Sequence, residues 1–161
     1  MQSWLKKHFD AEGITVDADT LHALIFRSGH SMSILSSEVK KLAAYAKTFV
    51  GYPYVYGGSS PSGFDCSGFT SYIYKQFGYS LNRTCSGQLD NGTPVAMSEL
   101  QPGDLVFFQN TYKAGISHVG IYVGDGKFIH SPNSRSVVSY ADLYSDYYTN
   151  HYYSARRICG N

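Results

Sequence analysis

Apolar residues recur at two different periods along this chain, and the change falls at Pro102. Val39, Leu42, Ala43, Ala46, Phe49 and Val50 follow helical spacing, with Gly51 as the stop. Ser36-Ser37-Glu38 stands just before them, hydroxyl capping residues followed by an acid, and predicts that the helix starts there. Phe69, Ile73 and Phe77 fall on one face of a second predicted helix, which begins at or beside Cys66 and ends at Gly78. After Pro102 the pattern is that of strands. Asp104 to Phe108 is a short apolar run, and His118 to Val123 is joined to Lys127 to His130 by Asp125-Gly126, a strong hairpin signal. Tyr152 to Ile158 reads as a last strand. Helices first and an antiparallel sheet afterwards predict an α+β fold.

Residues 1–35 follow neither period. Ile14 to Phe26 mixes short apolar stretches with Asp17, Asp19 and Thr20, and Ser28-Gly29-His30-Ser31 reads as a loop. The chain therefore divides into residues 1–35, an N-terminal arm, linker or remnant of an upstream module, and residues 36–161, the main domain. A length of 161 residues suits one domain with a sizeable core plus such an appendage.

Composition removes several classes of function. No apolar run approaches the roughly 18–20 residues of a membrane span, so membrane insertion is not expected. Net charge is +1, from 13 basic and 12 acidic residues, with no basic run beyond Lys6-Lys7 or Arg156-Arg157. Nucleic acid is not an expected partner. Met1 to Asp10 lacks the apolar segment and small-residue cleavage site of a signal peptide. Fifteen tyrosines are the compositional oddity; such rings suit exposed β-surfaces and clefts for polar, extended ligands. Three cysteines, Cys66, Cys85 and Cys159, do not make a disulfide framework. A Cys85–Cys159 bridge leaving Cys66 free is one arrangement they permit. No Cys-x-x-Cys and no histidine pair at helical ligand spacing supports a metal site, and none is expected.

The chemistry centres on Asp65-Cys66-Ser67-Gly68. A thiol that opens a helix meets the positive end of the helix dipole, which together with a nearby imidazolium favours thiolate over thiol. Such a cysteine is either an activated nucleophile or a buried, inert side chain. His118 opens one hairpin strand and His130 lies on its partner. Ideal pairing around Asp125-Gly126 sets residue 121 opposite 130, which makes the histidines near-diagonal and brings them to one face if the strand is bulged or twisted. His130 then holds the ring of His118 in the tautomer that acts as a base. Two histidines beside a helix-opening cysteine favour nucleophilic catalysis.

Six stretches together carry a resemblance. They are Gly51-Tyr52-Pro53-Tyr54-Val55-Tyr56-Gly57-Gly58, Phe64-Asp65-Cys66-Ser67-Gly68-Phe69, Arg83-Thr84, Gln101 to Phe108, Ser117-His118-Val119-Gly120-Ile121-Tyr122 and Phe128-Ile129-His130. On these, residues 38 to 159 resemble the NlpC-type cell-wall cysteine peptidases, a papain-like family. The resemblance implies N-terminal helices packed on a central antiparallel β-sheet, and endopeptidase cleavage of the γ-D-glutamyl–diamino acid bond of peptidoglycan stem peptides. It implies Cys66 as nucleophile, His118 as base, His130 as orienting residue and Tyr54 as an oxyanion donor alongside the Cys66 backbone N–H. Asp65 and Ser67 match the pair that receives the free amino end of a stem peptide; capping and local turn bonding are their other roles. No cofactor is implied, and the chain is expected to work as a monomer. Related scissile bonds, the muramic acid–alanine amide or the cross-bridge, stay open, as does a non-catalytic wall-binding module. Ile14-Thr15-Val16 and Leu24 to Gly29 resemble the bacterial Src-homology-3-like wall-binding fold over a stretch too short for a domain. The substrate implies a secreted or wall-associated protein, reached as a truncated secreted hydrolase, a phage enzyme or a delivered effector. One departure from the family stands out, because Cys85 replaces the small hydroxyl residue usual after Arg83-Thr84. It is expected to be a spectator lacking the helix-start setting of Cys66, with oxidation partner and metal-sensitive thiol as the other readings.

Overall fold

The structure, a computed structural model, describes residues 30–159, with side chains from residue 37 onward. The expectations for residues 1–29, including the wall-binding resemblance, lie outside the described residues. Helix α1 runs His30–Lys47. The start expected at Ser36 therefore falls inside it. Leu35, Val39, Leu42 and Ala46 extend one helical period backwards through the serines, and a hydroxyl residue within a helix costs far less than breaking an apolar stripe. Leu42, Ala43, Ala46 and Phe49 are buried as expected, whereas Val50 lies in the turn after the helix, exposed.

A small hairpin follows, β1 (Ser59–Ser60) and β2 (Gly63–Phe64), and leads directly into α2 (Cys66–Gln76). Phe69 and Ile73 bury one face of α2 in the core, and Phe77 caps its C-terminal end half-buried. A four-residue helix α3 (Cys85–Gln88) was not foreseen. The rest is strand: β3 (Thr93–Val95), β4 (Leu105–Gln109), β5 (Ile116–Gly124), β6 (Lys127–His130), β7 (Ser139–Asp142) and, after helix α4 (Asp146–His151), β8 (Tyr152–Arg157).

These strands form one sheet in the order β3-β8-β4-β5-β6-β7, antiparallel at every pairing. The last strand is thus inserted between the first two. Leu105 and Phe107 of β4 pack toward the core that holds α1 and α2, while Val106 and Phe108 pack with Phe128, Leu143 and Tyr148. Cover on both faces explains why β4 reads as an unbroken apolar run rather than an alternating one. At the start of β4 the buried Asp104 carboxylate takes both arms of Arg157, at 2.9 and 2.8 Å, which fastens β8 in place. This is the α+β arrangement expected, helices on an antiparallel sheet.

Candidate active site

Cys66 is the first residue of α2, and Asp65 is its cap: Asp65 Oδ1 accepts the Gly68 N–H at 2.7 Å. Asp65 Oδ2 accepts the Gly57 N–H at 3.1 Å, so the Gly57-Gly58 turn is tied to the same carboxylate. Ser131, directly after β6, donates to the Phe64 carbonyl at 2.6 Å in a buried bond. That bond joins the end of the histidine hairpin to the segment carrying Cys66. Nothing in the local pattern around Ser131 announces it.

The hairpin supplies both imidazoles to one face through a bulge. Asp125 and Gly126 form the expected turn with φ of 54° and 72°, and Gly124 pairs with Lys127. Val123 is then an extra residue, so Tyr122 faces Phe128 and Ile121 faces Ile129, where ideal pairing sets residue 121 opposite 130. Gly124, at φ 97°, gives the bulge its backbone conformation. A shift of one residue exchanges the faces of a strand. It turns His130 to the side of Gly120 and His118. A Cβ on Gly120 would come within 3.2 Å of the His130 Cβ and 2.6 Å of the Phe128 ring, so only glycine lets the two strands close there.

His118 Nε2 and His130 Nδ1 are 2.7 Å apart, both rings buried. Tyr148 of α4 covers the pair, its ring centroid 5.7 Å from that of His130. Burial, and after it the charge of His118, push the His130 pKa well below that of a free imidazole. His130 is therefore neutral and accepts at Nδ1 from the Nε2–H of His118, which leaves His118 Nδ1 facing the thiol. The Cys66 thiol is lowered to about 5: the S–H of Cys85 contributes most, burial opposes it, and His118 lowers it as hydrogen-bond partner and as positive charge.

Cys85 is the correction. Its sulfur lies 3.2 Å from that of Cys66, both residues are buried, and it opens a helix of its own, capped by Thr84 Oγ1 accepting the Gly87 N–H at 3.1 Å. The helix-start setting it was expected to lack is therefore present, and it is not bridged to Cys159: all three cysteines are free. The hydrogen bond to Cys66 and then burial push the Cys85 thiol upward. Gln88, fully buried, holds the two helix starts together. Its amide donates to the Ser67 carbonyl at 3.0 Å, Ser71 Oγ at 3.0 Å and the Asn82 carbonyl at 2.9 Å, and its oxygen accepts from Thr70 at 2.8 Å.

Tyr54, Asp65, Cys66, Ser67 and Cys85 share the wall of an open cleft of about 420 Å³ with Arg83 and Tyr112. A smaller cavity of about 160 Å³ continues past His118, and Tyr112 lines both. Burial first, then the charge of Cys66, raises the Tyr54 phenol to about 12. It stays protonated and able to donate. Arg83 carries more than its place in the pattern suggested: it donates to Ser67 Oγ at 2.8 Å and to Asp65 Oδ2 at 2.9 Å. Asp65 and Ser67 are thus already partnered. Among the described residues no group of His, Cys, Asp and Glu could hold a metal ion, and no helix is long and apolar enough to cross a membrane.

A thiol at a helix start, facing a histidine pair carried on an antiparallel hairpin, defines a papain-like cysteine–histidine site. The chain belongs to the NlpC/P60 family, whose family model matches residues 51–157. It is 47% identical over 116 residues to a gamma-DL-glutamyl hydrolase of Bacillus subtilis, covering 70% of this chain and 28% of that protein. To a gamma-D-glutamyl-L-lysine dipeptidyl-peptidase of Bacillus cereus it is 44% identical over 112 residues, covering 69% of this chain and 34% of that protein. The chain therefore spans about a third of the length of these curated relatives. Among solved structures, an NlpC/P60 family protein from Bacillus cereus superposes with a TM-score of 0.71 at 41% identity, covering 75% of this chain and 40% of that one.

Proposed function

We propose that this chain is a cysteine endopeptidase of peptidoglycan that hydrolyses the γ-D-glutamyl–diamino acid bond of stem peptides through an acyl-enzyme on Cys66. The observation that carries this reading is the His118–His130 bond of 2.7 Å beside a thiol lowered to about 5. The Cys66 thiolate attacks the γ-carbonyl carbon, and the carbonyl π electrons move to oxygen. The Tyr54 O–H and the Cys66 backbone N–H receive that oxyanion; donors aimed in advance are worth roughly 2.7–4 kcal/mol each. The proton that Cys66 gives up passes to His118 Nδ1, which delivers it to the departing amine as the C–N bond breaks. Nδ1 then takes a proton from water, whose oxygen attacks the thioester and frees Cys66.

The names of the two Bacillus relatives support the choice of a γ-glutamyl bond. In this reading the catalytic domain includes α1, whose continuous run His30–Lys47 crosses the boundary expected at residue 36, and the residues ahead of that helix are an appended arm. The protein works as a monomer, secreted or wall-associated, on stem peptides whose free amino end docks at Asp65 and Ser67. Arg83 holds that pair in place, so the ammonium enters as a third partner.

The test is a digest of purified muropeptides by the wild type and by Cys66→Ala, read by mass spectrometry. Release of L-alanyl-D-glutamate by the wild type alone is expected. A different fragment that still depends on Cys66 would move the scissile bond to the amide or the cross-bridge. No product from folded, reduced protein on stem peptides carrying either diaminopimelate or lysine would overturn the reading in favour of a binding module.

A further inference from the structure

We propose that Cys66 and Cys85 form a reversible oxidative-modification site, in which hydrogen peroxide closes a Cys66–Cys85 disulfide that blocks the nucleophile and a dithiol reductant reopens it. The two sulfurs are 3.2 Å apart across the starts of α2 and α3. A disulfide needs about 2.05 Å, so the approach still required is roughly 1.2 Å, within reach of small χ1 rotations.

The pair is held, not met by chance. Gln88 bonds α3 to Ser67 and Thr70 of α2 and to Asn82, so the two helix starts that carry the sulfurs do not separate without breaking that hydrogen-bond cluster. Both cysteines line the cleft of about 420 Å³, through which a molecule as small as peroxide reaches the sulfurs although each residue is only 7–8% exposed. The third cysteine stands apart, beside Tyr79 and Glu38, and does not compete.

The chemistry balances in two steps. The Cys66 thiolate attacks one peroxide oxygen, the O–O bond breaks, and Cys66 sulfenic acid forms as the departing hydroxide takes a proton to become water. Cys85 then loses its proton to solvent, its sulfur attacks the Cys66 sulfur, and the hydroxyl leaves with that proton as a second water. Two thiols are oxidised by two electrons and one peroxide is reduced. A dithiol such as dithiothreitol returns the two electrons by exchange through a mixed disulfide. Without Cys85 the sulfenic acid persists in the cleft, where more peroxide carries it to sulfinic and sulfonic acid, from which thiols do not recover it.

The experiment treats the full chain and Cys85→Ser with hydrogen peroxide and then with dithiothreitol. Intact mass, peptide mapping and muropeptide hydrolysis are measured at each stage, each protein referred to its own untreated activity. The wild type is expected to lose two hydrogen masses, to yield a Cys66–Cys85 linked peptide, and to recover about tenfold more activity than Cys85→Ser. Cys85→Ser is expected to gain oxygen on Cys66. Oxygen added to wild-type Cys66 without a linked peptide, or a link from Cys66 to Cys159, would sink the proposal. So would equal recovery of the two proteins. If Cys85→Ser does not fold, the wild-type mass and linked peptide decide alone. The loss of activity rests on the endopeptidase reading and the bond does not: a linked peptide in a protein inactive on every muropeptide would overturn that reading and leave this one standing.

Discussion

The starts of α2 and α3 share one local grammar. Asp65-Cys66-Ser67-Gly68 and Thr84-Cys85-Ser86-Gly87 each set a capping side chain before Cys-Ser-Gly, and in each the cap accepts the N–H three residues on, at 2.7 and 3.1 Å. Their thiols nevertheless move in opposite directions, Cys66 down to about 5 and Cys85 upward. The helix of Cys66 runs eleven residues and its thiol faces His118, whereas that of Cys85 runs four and its thiol faces a thiolate. Once one of two touching sulfurs is ionised, the other is held protonated as its donor. A cysteine at a helix start is thus an invitation to reactivity, and its neighbours across the fold accept or refuse it.

The comparison can be broken most strongly at the histidine. His118→Ala is expected to cut kcat/KM by about 10³–10⁴-fold, with the CD spectrum unchanged, because base and counter-charge go together. The same variant should raise the pH midpoint for capture of Cys66 by iodoacetamide. In the wild type that midpoint is expected near 5: a depressed thiol pKa keeps thiolate present above it and loses thiolate as pH falls through it. Cys85→Ala sharpens the contrast with a smaller effect. Removing the S–H donor should move the same midpoint upward while His118 still holds it below an ordinary thiol, read from mapped alkylation rates across pH. Gln88→Leu attacks the strap between the two helices and leaves buried partners unsatisfied; about 2–3 kcal/mol of unfolding free energy should disappear in urea titrations. Thr84→Ala removes only the cap of α3. About 1 kcal/mol is expected there, measured in the same way.

Much of the frame was legible because it is local. The stripe of Val39, Leu42 and Ala46, the face of Phe69 and Ile73, and the Asp125-Gly126 turn each announce their element within a few residues. The start of α1 was misread because capping residues compete with an apolar stripe that runs through them. The α+β order followed from the change of period near Pro102, but the insertion of β8 between β3 and β4 did not. That order is set by contacts such as Asp104 with Arg157, far apart in the chain.

The site divides along the same line. Cys66, His118 and His130 were visible as residue types in a pattern, since a helix start and a hairpin are local features. That both imidazoles share a face depends on one extra residue, Val123, whose bulge sits beside Gly124 at φ 97°. Arg83, Gln88 and Ser131 went unassigned because their partners lie 16 or more residues away in at least one bond each.

By itself, then, the chain order determined that a helix opens at Cys66, where the hairpin turns and which three side chains have the chemistry for nucleophilic catalysis, all through interactions a few residues long. Only the tertiary structure decided that the rings of His118 and His130 touch, that Asp65 and Ser67 are shared with Arg83, and that the second cysteine rests on the first. Those outcomes depend on burial and on distances between segments that no local period encodes, and a shift of one residue in a single strand would reverse the face on which His130 stands.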